Sequence, residues 1–246
     1  MCLQDVLELR ARKGIDSRQR LLLEGLRLIG AARMAGLAFE CVLYTPEFWS
    51  GEPCRQLLEQ LQRDGVPSHC LSPRTFSRIS YKAEGLVAIA RYVAPALDVV
   101  LRAARVVVLD GLSDPGNIGA IVRSANAWGP AAVVVVGGPD KLFHPKCLRA
   151  SMGAMFHTPT LAVERATLVG RIATLGRRVF VLAPDGDACV DRFDDDPIVV
   201  LGNERHGVHP TWHHVTTARI AIPMNGIVDS LNVATSAAIV LWELFR

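Results

Sequence analysis

The chain has 246 residues, half of them apolar and 21% charged, with a formal net charge of +3, so it can bury a sizeable core and is not a disordered segment. Lys/Arg and Asp/Glu stand at 13 against 11 up to residue 100 and 14 against 13 beyond it, so bulk charge gives no argument for nucleic-acid binding. No apolar run approaches the ~18 residues of a membrane span, and the opening MCLQDVLELRARKG lacks the apolar core of a secretory signal.

These features imply a cytoplasmic protein. Cys2, Cys41, Cys54, Cys70, Cys147 and Cys189 form no C-x-x-C pair and no Cys/His spacing suited to zinc, which implies free thiols and no metal. Arg10, Arg12, Lys13, Arg18 and Arg20 are a local basic concentration, either a phosphate contact or a solvated helix face.

From Ser17 to about Gly36, Leu21, Leu22, Leu26, Leu28, Ile29 and Ala32 recur at helical spacing and predict an amphipathic helix. Phe39 to Leu43 predicts a short strand, Gln56 to Arg63 a second helix, and Leu86 to Ala90 a buried strand. Val93 to Arg105 reads as a connector. Beyond it, apolar runs at Val106–Leu109, Ala132–Val136, Val179–Leu182, Ile198–Leu201 and Ile220–Ile222 each end in a loop rich in Gly, Pro, Asp or Asn. Such strands alternating with helices predict a mostly parallel sheet covered on both faces. The run Asp194-Asp195-Asp196 reads as a solvated turn.

Ligands of parallel sheets bind at the carboxyl ends of the strands, and three of these loops carry candidate chemistry. In DGLSDPGNIGAIVRSANAWG (110–129), Asn117 sits where a helix should start and is read as its cap, while Gly119 leaves room for Arg123 to lie back toward that end. In LGNERHG (201–207), Gly202 and Gly207 allow a tight turn around Asn203 and Glu204, where a ligand meets backbone groups. In IPMNGIVDSLNVATSAAIVLWEL, Ser230 or Asp229 can cap a long helix. No G-x-G-x-x-G or Walker P-loop is present, which weighs against a dinucleotide oxidoreductase or a nucleoside triphosphatase.

Together and in this order, PGNIGAIVRSA, VVLGNERHG and IPMNGIVDSLNVATSAAI resemble the motifs of the SpoU, or TrmH, family of the SPOUT methyltransferases, with FHPKCLRASMGAMFHTP between the first two also similar. The upstream RQRLLLEGLRLIGAARMAGLAFECVLYT and EGLVAIA are similar to the small substrate-binding domain that precedes the catalytic domain in many members. The resemblance implies an α/β fold with a deep trefoil knot, divided into a small α/β RNA-binding domain (1–95), a linker (96–105) and a methyltransferase domain (106–246).

It also implies S-adenosylmethionine-dependent 2′-O-methylation of a ribose by a homodimer whose active sites draw on both subunits, without a metal. By resemblance, Asn117, Arg123, Glu204, Ser230 and Asn232 form the catalytic group. Leu201, Gly202, Asn203, Gly207, Ile222, Met224 and Leu231 hold the cofactor on the same grounds. Pro223 and Gly226 belong to the same motif.

A guanidinium keeps its proton near neutral pH, so gripping phosphate and stabilising an alkoxide is a physically easier role for Arg123 than proton removal. Arg205 and His206 depart from the family pattern, which usually has glycine after the Glu. Arg205 is either an RNA contact or a solvent-facing substitution, and His206 either a base or a polar loop residue. The upstream domain points to ribosomal RNA ahead of transfer RNA. A noncatalytic RNA-binding protein on the same fold is the alternative from another class, and the intact catalytic group counts against it.

Overall fold

The structure is a computed structural model that describes residues 3–49, 51–82, 84–129, 131–186, 188–189, 193, 196–227 and 230–246. Asp194, Asp195, Asp229, Cys2 and the side chain of Cys189 lie outside what is described. Cys70, exposed, and Cys147, buried, carry free thiols.

The first part contains α1 (Leu3–Arg12), β1 (Arg20–Glu24), α2 (Leu26–Met34), β2 (Ala38–Tyr44), α3 (Glu52–Arg63), β3 (Ser68–Cys70), α4 (Pro73–Ile79) and β4 (Leu86–Arg91). Its four-stranded sheet runs β1-β4-β2-β3, with β4 antiparallel to both neighbours and β2 parallel to β3. Alternation along β4 serves both faces. Leu86, Ala88 and Ala90 pack toward α2 and α3, while Val87 and Ile89 pack with Val6, Leu9, Phe76 and Ile79.

The helix expected over Ser17 to Gly36 is a strand followed by a helix. Gly25, at φ +86°, separates them, a backbone angle that a continuous helix forbids. RLLLE is extended because its residues pair with Val87 to Arg91, burying Leu21 and Leu23 completely. Sheet pairing overrode a helical periodicity that began one element too early.

The second part contains α5 (Leu97–Leu101), β5 (Arg105–Asp110), α6 (Pro115–Trp128), β6 (Ala131–Val136), α7 (Pro139–Leu142), α8 (Pro145–Ser151), β7 (Thr160–Val163), α9 (Arg165–Ala173), β8 (Val179–Leu182), β9 (Ala188–Cys189), β10 (Ile198–Leu201), β11 (Ala218–Ala221) and α10 (Val233–Phe245). The seven-stranded sheet runs β7-β6-β5-β10-β8-β11-β9, and every named pair is parallel. Val107, Val133 and Val199 face one core while Val106, Val134 and Val200 face the other, as a sheet covered on both sides requires. Each such fully buried side chain contributes on the order of 1.5–3 kcal/mol.

The two sheets share a core. Tyr92 stacks near Phe143 and Phe156, with ring centroids 5.3 and 6.1 Å away, and its hydroxyl donates to the Thr160 carbonyl at 3.3 Å. Gly153, at φ +89°, lies so close to α2 that a Cβ there would overlap the Ala31 methyl. The expected connector contains α5, whose Val100 and Leu101 are buried in the second core.

Candidate active site

The carboxyl ends of β5, β8, β10 and β11 meet in the expected place. The β5 end is fixed by Asp110, a buried carboxylate that accepts from Arg165 Nε at 2.9 Å and from the His209 backbone N–H at 3.0 Å. It thereby ties the β5 loop to the segment following β10. Lys141 Nζ donates to the Leu112 carbonyl at 2.8 Å, and Lys146 Nζ lies 2.8 Å from Asp114 Oδ1, so the loop from Gly111 to Asp114 is braced from α7 and α8.

That loop delivers α6. Its cap is Asp114, whose Oδ1 accepts from the Gly116 N–H at 2.8 Å, with Pro115 in the first helical position. Asn117 is therefore not the cap but a first-turn residue, and its amide is free to reach across the sheet. Asn117 Nδ2 donates to Glu204 Oε1 at 2.9 Å, and the Ser113 N–H donates to Glu204 Oε2 at 3.1 Å. Asn232 Nδ2 donates to Asn117 Oδ1 at 3.3 Å. Three motifs far apart in sequence thus share one hydrogen-bond chain.

Asn232, rather than Ser230, caps α10, its Oδ1 accepting from the Ala234 and Thr235 N–H groups at 2.9 and 3.4 Å. The reason is register. Val233 begins the helix, which leaves Ser230 outside it, exposed at the rim of the cavity described next.

Burial pulls the Glu204 carboxyl upward, but hydrogen bonds from its own N–H, the Asn117 amide and the Ser113 and Asp114 N–H groups outweigh this and hold it below the ordinary carboxylate value. It is an ionised acceptor at neutral pH.

After β10 the chain doubles back at once. The Asn203 N–H bonds the Gly207 carbonyl and the Gly207 N–H bonds the Asn203 carbonyl, both at 2.9 Å. Asn203 Oδ1 accepts from the Arg205 and His206 N–H groups at 2.9 and 3.1 Å, and its Nδ2 donates to the Gly111 carbonyl at 2.8 Å and to Ser113 Oγ at 2.9 Å. Gly202 is required by close approach, since an added methyl would lie 2.5 Å from the Gly207 carbonyl oxygen and closer still to the adjoining backbone.

Beneath this turn lies a cavity of about 240 Å3 lined by every expected cofactor residue, Leu201, Gly202, Asn203, Gly207, Ile222, Met224 and Leu231, together with Glu204, Arg205 and Ser230. Leu182 at the end of β8, Ala183 and Pro184 after it, and Val233 and Ser236 on α10 complete the wall. The sequence reading missed these. The rule that parallel strands present ligands at their carboxyl ends would have found the first group, because APDG directly follows a strand.

Arg123 lies elsewhere. It is exposed on α6, six residues or roughly 9 Å of helix rise beyond Asn117. It lines a separate cavity of about 690 Å3 where α2 and α3 meet α6 and the end of α8, and the two cavities share no lining residue. Gly119 does not make room for it, because Gly119 faces α8, where a Cβ would sit 2.8 Å from the Ala150 methyl and against the Cys147 carbonyl. His206 lines a third cavity with His209 and His213 rather than the cofactor wall.

The cavity is slightly below the ~300–1,000 Å3 of typical ligand sites. Apolar walls from Leu201, Ile222, Met224 and Leu231 beside a turn whose backbone is laid open at Gly202 fit a compactly folded S-adenosylmethionine.

Comparison with known proteins identifies the family. The SpoU rRNA Methylase family matches residues 104–242, and the MRM3-like substrate binding domain matches residues 3–90. The 23S rRNA (uridine(2479)-2′-O)-methyltransferase of Streptomyces viridochromogenes is 29% identical over 92% of this chain and 82% of its own length. The 23S rRNA (guanosine(2553)-2′-O)-methyltransferase RlmP of Bacillus subtilis is 30% identical over 73% of each chain. The crystal structure of the SpoU methyltransferase AviRb from Streptomyces viridochromogenes in complex with AdoMet superimposes with a TM-score of 0.84 at 28% identity, covering 99% of this chain and 96% of that one. The match across more than half of the chain places it in the SpoU rRNA methylase family.

Proposed function

We propose that the protein transfers a methyl group from S-adenosylmethionine to a ribose 2′-hydroxyl of 23S ribosomal RNA in the cytoplasm. The observation that carries this reading is one cavity lined by residues of two motifs, with Asn117, Glu204 and Asn232 hydrogen-bonded in series around it. Relatives that act on 23S rRNA support the choice of ribosomal over transfer RNA.

The division of labour follows the two sheets, with residues 1–95 binding RNA, 96–105 linking and 106–246 carrying out transfer. The knot expected of the family is consistent with the close approach of Gly186 to the Ile220 backbone, where a Cβ would overlap it.

The cofactor, when bound, supplies an electrophilic methyl carbon. Leu201, Ile222, Met224 and Leu231 exclude water from its apolar parts, the Gly202 backbone offers main-chain hydrogen bonds to its polar edges, and Asn203 and Gly207, bonded to each other, hold the turn against it. Glu204, ionised and held by Asn117 and Ser113, keeps the three loops in register and does not donate a proton. Ser230 presents its hydroxyl at the rim to orient the ribose. Arg123 grips the adjoining phosphate and stabilises the alkoxide as the 2′-hydroxyl loses its proton.

Because Arg123 and the cofactor cavity are separate within one chain, a homodimer brings them together. The candidate contact is the end of α6 and α10, where Trp128 and Trp242 are half exposed and pack edge to face at 4.9 Å. Aromatic residues of this kind are enriched at interface cores. Trp242→Glu is expected to convert a dimer to monomer in sedimentation velocity; a monomeric wild-type protein at the concentrations used for activity would reject the dimer.

The decisive test maps 2′-O-methyl groups in ribosomal and transfer RNA from cells with and without the gene. One 23S site should vanish on deletion. Loss confined to transfer RNA would move the substrate there, and no loss together with no calorimetric heat for S-adenosylmethionine would leave a noncatalytic RNA-binding protein.

A further inference from the structure

The cations of the first part divide sharply into used and unused. In the basic N-terminal stretch, Arg20 is held by Asp16 at 2.8 Å and Glu40 at 3.7 Å, and Arg10 donates to the Ser80 carbonyl at 3.3 Å while stacking 4.8 Å from the Tyr81 ring. Two of the five cations suggested by the sequence as a phosphate contact are thereby consumed within the protein.

At the seam between the sheets the balance is opposite. The 690 Å3 cavity is lined by Arg27 and Arg123 with no carboxylate, and neither guanidinium has an ion-pair partner among the described residues. Its other polar lining includes Gln56, Gln60 and Asn126, set beside apolar Leu26 and Met152.

This cavity adjoins a second of about 410 Å3, and Leu26, Arg27 and Met152 line both. The second adds Lys82 and Arg149, the latter 6.0 Å from the Tyr81 ring. It holds two carboxylates. Glu24 is occupied by Ser80 Oγ and the Tyr81 and Lys82 N–H groups, which leaves Glu84 against Arg27, Lys82 and Arg149.

We propose that this seam is a track for single-stranded RNA flanking the target nucleotide, with phosphates on Arg27, Arg149 and Lys82 leading to Arg123, and one unstacked base seated among Gln56, Gln60 and Asn126. The proposal rests on the RNA methyltransferase reading and adds where the substrate lies. Spaced unpaired cations suit a phosphate backbone, and amides over apolar surface suit a splayed base, the mode in which sequence-specific RNA recognition works. A duplex keeps its bases stacked and would leave the amides of Gln56, Gln60 and Asn126 with no base to hold.

The test uses the full chain and fluorescein-labelled oligouridine, read by anisotropy across a salt series, with total ribosomal RNA as methyl acceptor. Arg27→Gln and Arg149→Gln should each weaken oligouridine binding several-fold and lower the slope of log affinity against log salt by roughly 0.7, the loss of one single-strand phosphate contact. KM for ribosomal RNA should rise while kcat at saturating RNA and the affinity for S-adenosylmethionine stay unchanged, which a merely structural defect would not produce. The pair Gln56→Ala and Gln60→Ala should raise KM with no change in slope, since a base contact releases no counterions. Arg12→Gln and Arg18→Gln should do neither. Unaltered slopes for Arg27→Gln and Arg149→Gln, or equal losses from Arg12→Gln and Arg18→Gln, overturn the track. Wild-type protein that binds oligouridine with the expected slopes in the variants but methylates no RNA would overturn the proposed reaction and leave the track standing.

Discussion

Arg123→Ala is expected to reduce methyl transfer at least ~100-fold, the low end of what one electrostatic or acid–base group contributes. Binding of S-adenosylmethionine should stay essentially unchanged, because Arg123 lines a different cavity from the cofactor residues. Folding should also be preserved, since the side chain is exposed and no ion pair holds it among the described residues. Arg123→Lys separates two roles. Lysine keeps the charge but loses the planar fork that grips phosphate through paired hydrogen bonds. No rescue by lysine assigns phosphate positioning, whereas substantial rescue with a rate rising toward alkaline pH assigns proton removal. Wild-type single-turnover rates in Arg123→Ala would remove this residue from the catalytic group.

Gly202→Ala should cost at least tenfold in S-adenosylmethionine affinity, about 1.4 kcal/mol. The added methyl would lie 2.5 Å from the Gly207 carbonyl oxygen, and its other neighbours are backbone, so no side chain can swing aside to relieve the overlap. Either the paired hydrogen bonds between Asn203 and Gly207 break or the turn shifts off the cavity. Gly207→Ala provides the contrast. Its φ of +67° costs an L-residue roughly 1–2 kcal/mol, but a Cβ there meets nothing within 4 Å. The second variant should therefore lose stability while keeping more of its affinity. Calorimetry showing equal, wild-type affinity in both would mean that the turn does not form the cofactor wall.

Five strands of the larger sheet were legible as apolar runs stopped by Gly, Pro, Asp or Asn, most plainly β5, β6, β8 and β10, which are buried along nearly their whole length, whereas the half-buried β7 and the two-residue β9 went unread. The smaller sheet was harder. RLLLEGLRLIGAARMAG satisfies a helical period throughout, and only pairing with the distant Val87 to Arg91 makes its first residues a strand. Both misread caps have one cause. A favoured capping residue stood within three positions of another, and sequence alone does not say which is in register: Asp114 rather than Asn117, Asn232 rather than Ser230. In each case the asparagine proved to carry the hydrogen-bond chain to Glu204, which no local rule reports. Asp110 gave no signal either, since a carboxylate at a strand end looks like any turn residue until Arg165 and His209 are seen against it. The cofactor wall was legible through motif resemblance, residue by residue, whereas the position of Arg123 depended on how the first sheet docks beside α6.

That docking has little slack. Gly153 admits Ala31 with no space for a side chain of its own, and Tyr92 is clamped between Phe143 and Phe156. A joint without a hinge holds Arg27 and Lys82 at a fixed span from Arg123, and a fixed span acts as a ruler. The enzyme can then select its nucleotide by counting along the strand from where the backbone is gripped, and an enlarged residue at position 31 or 153 would reset the count before it disturbed the chemistry.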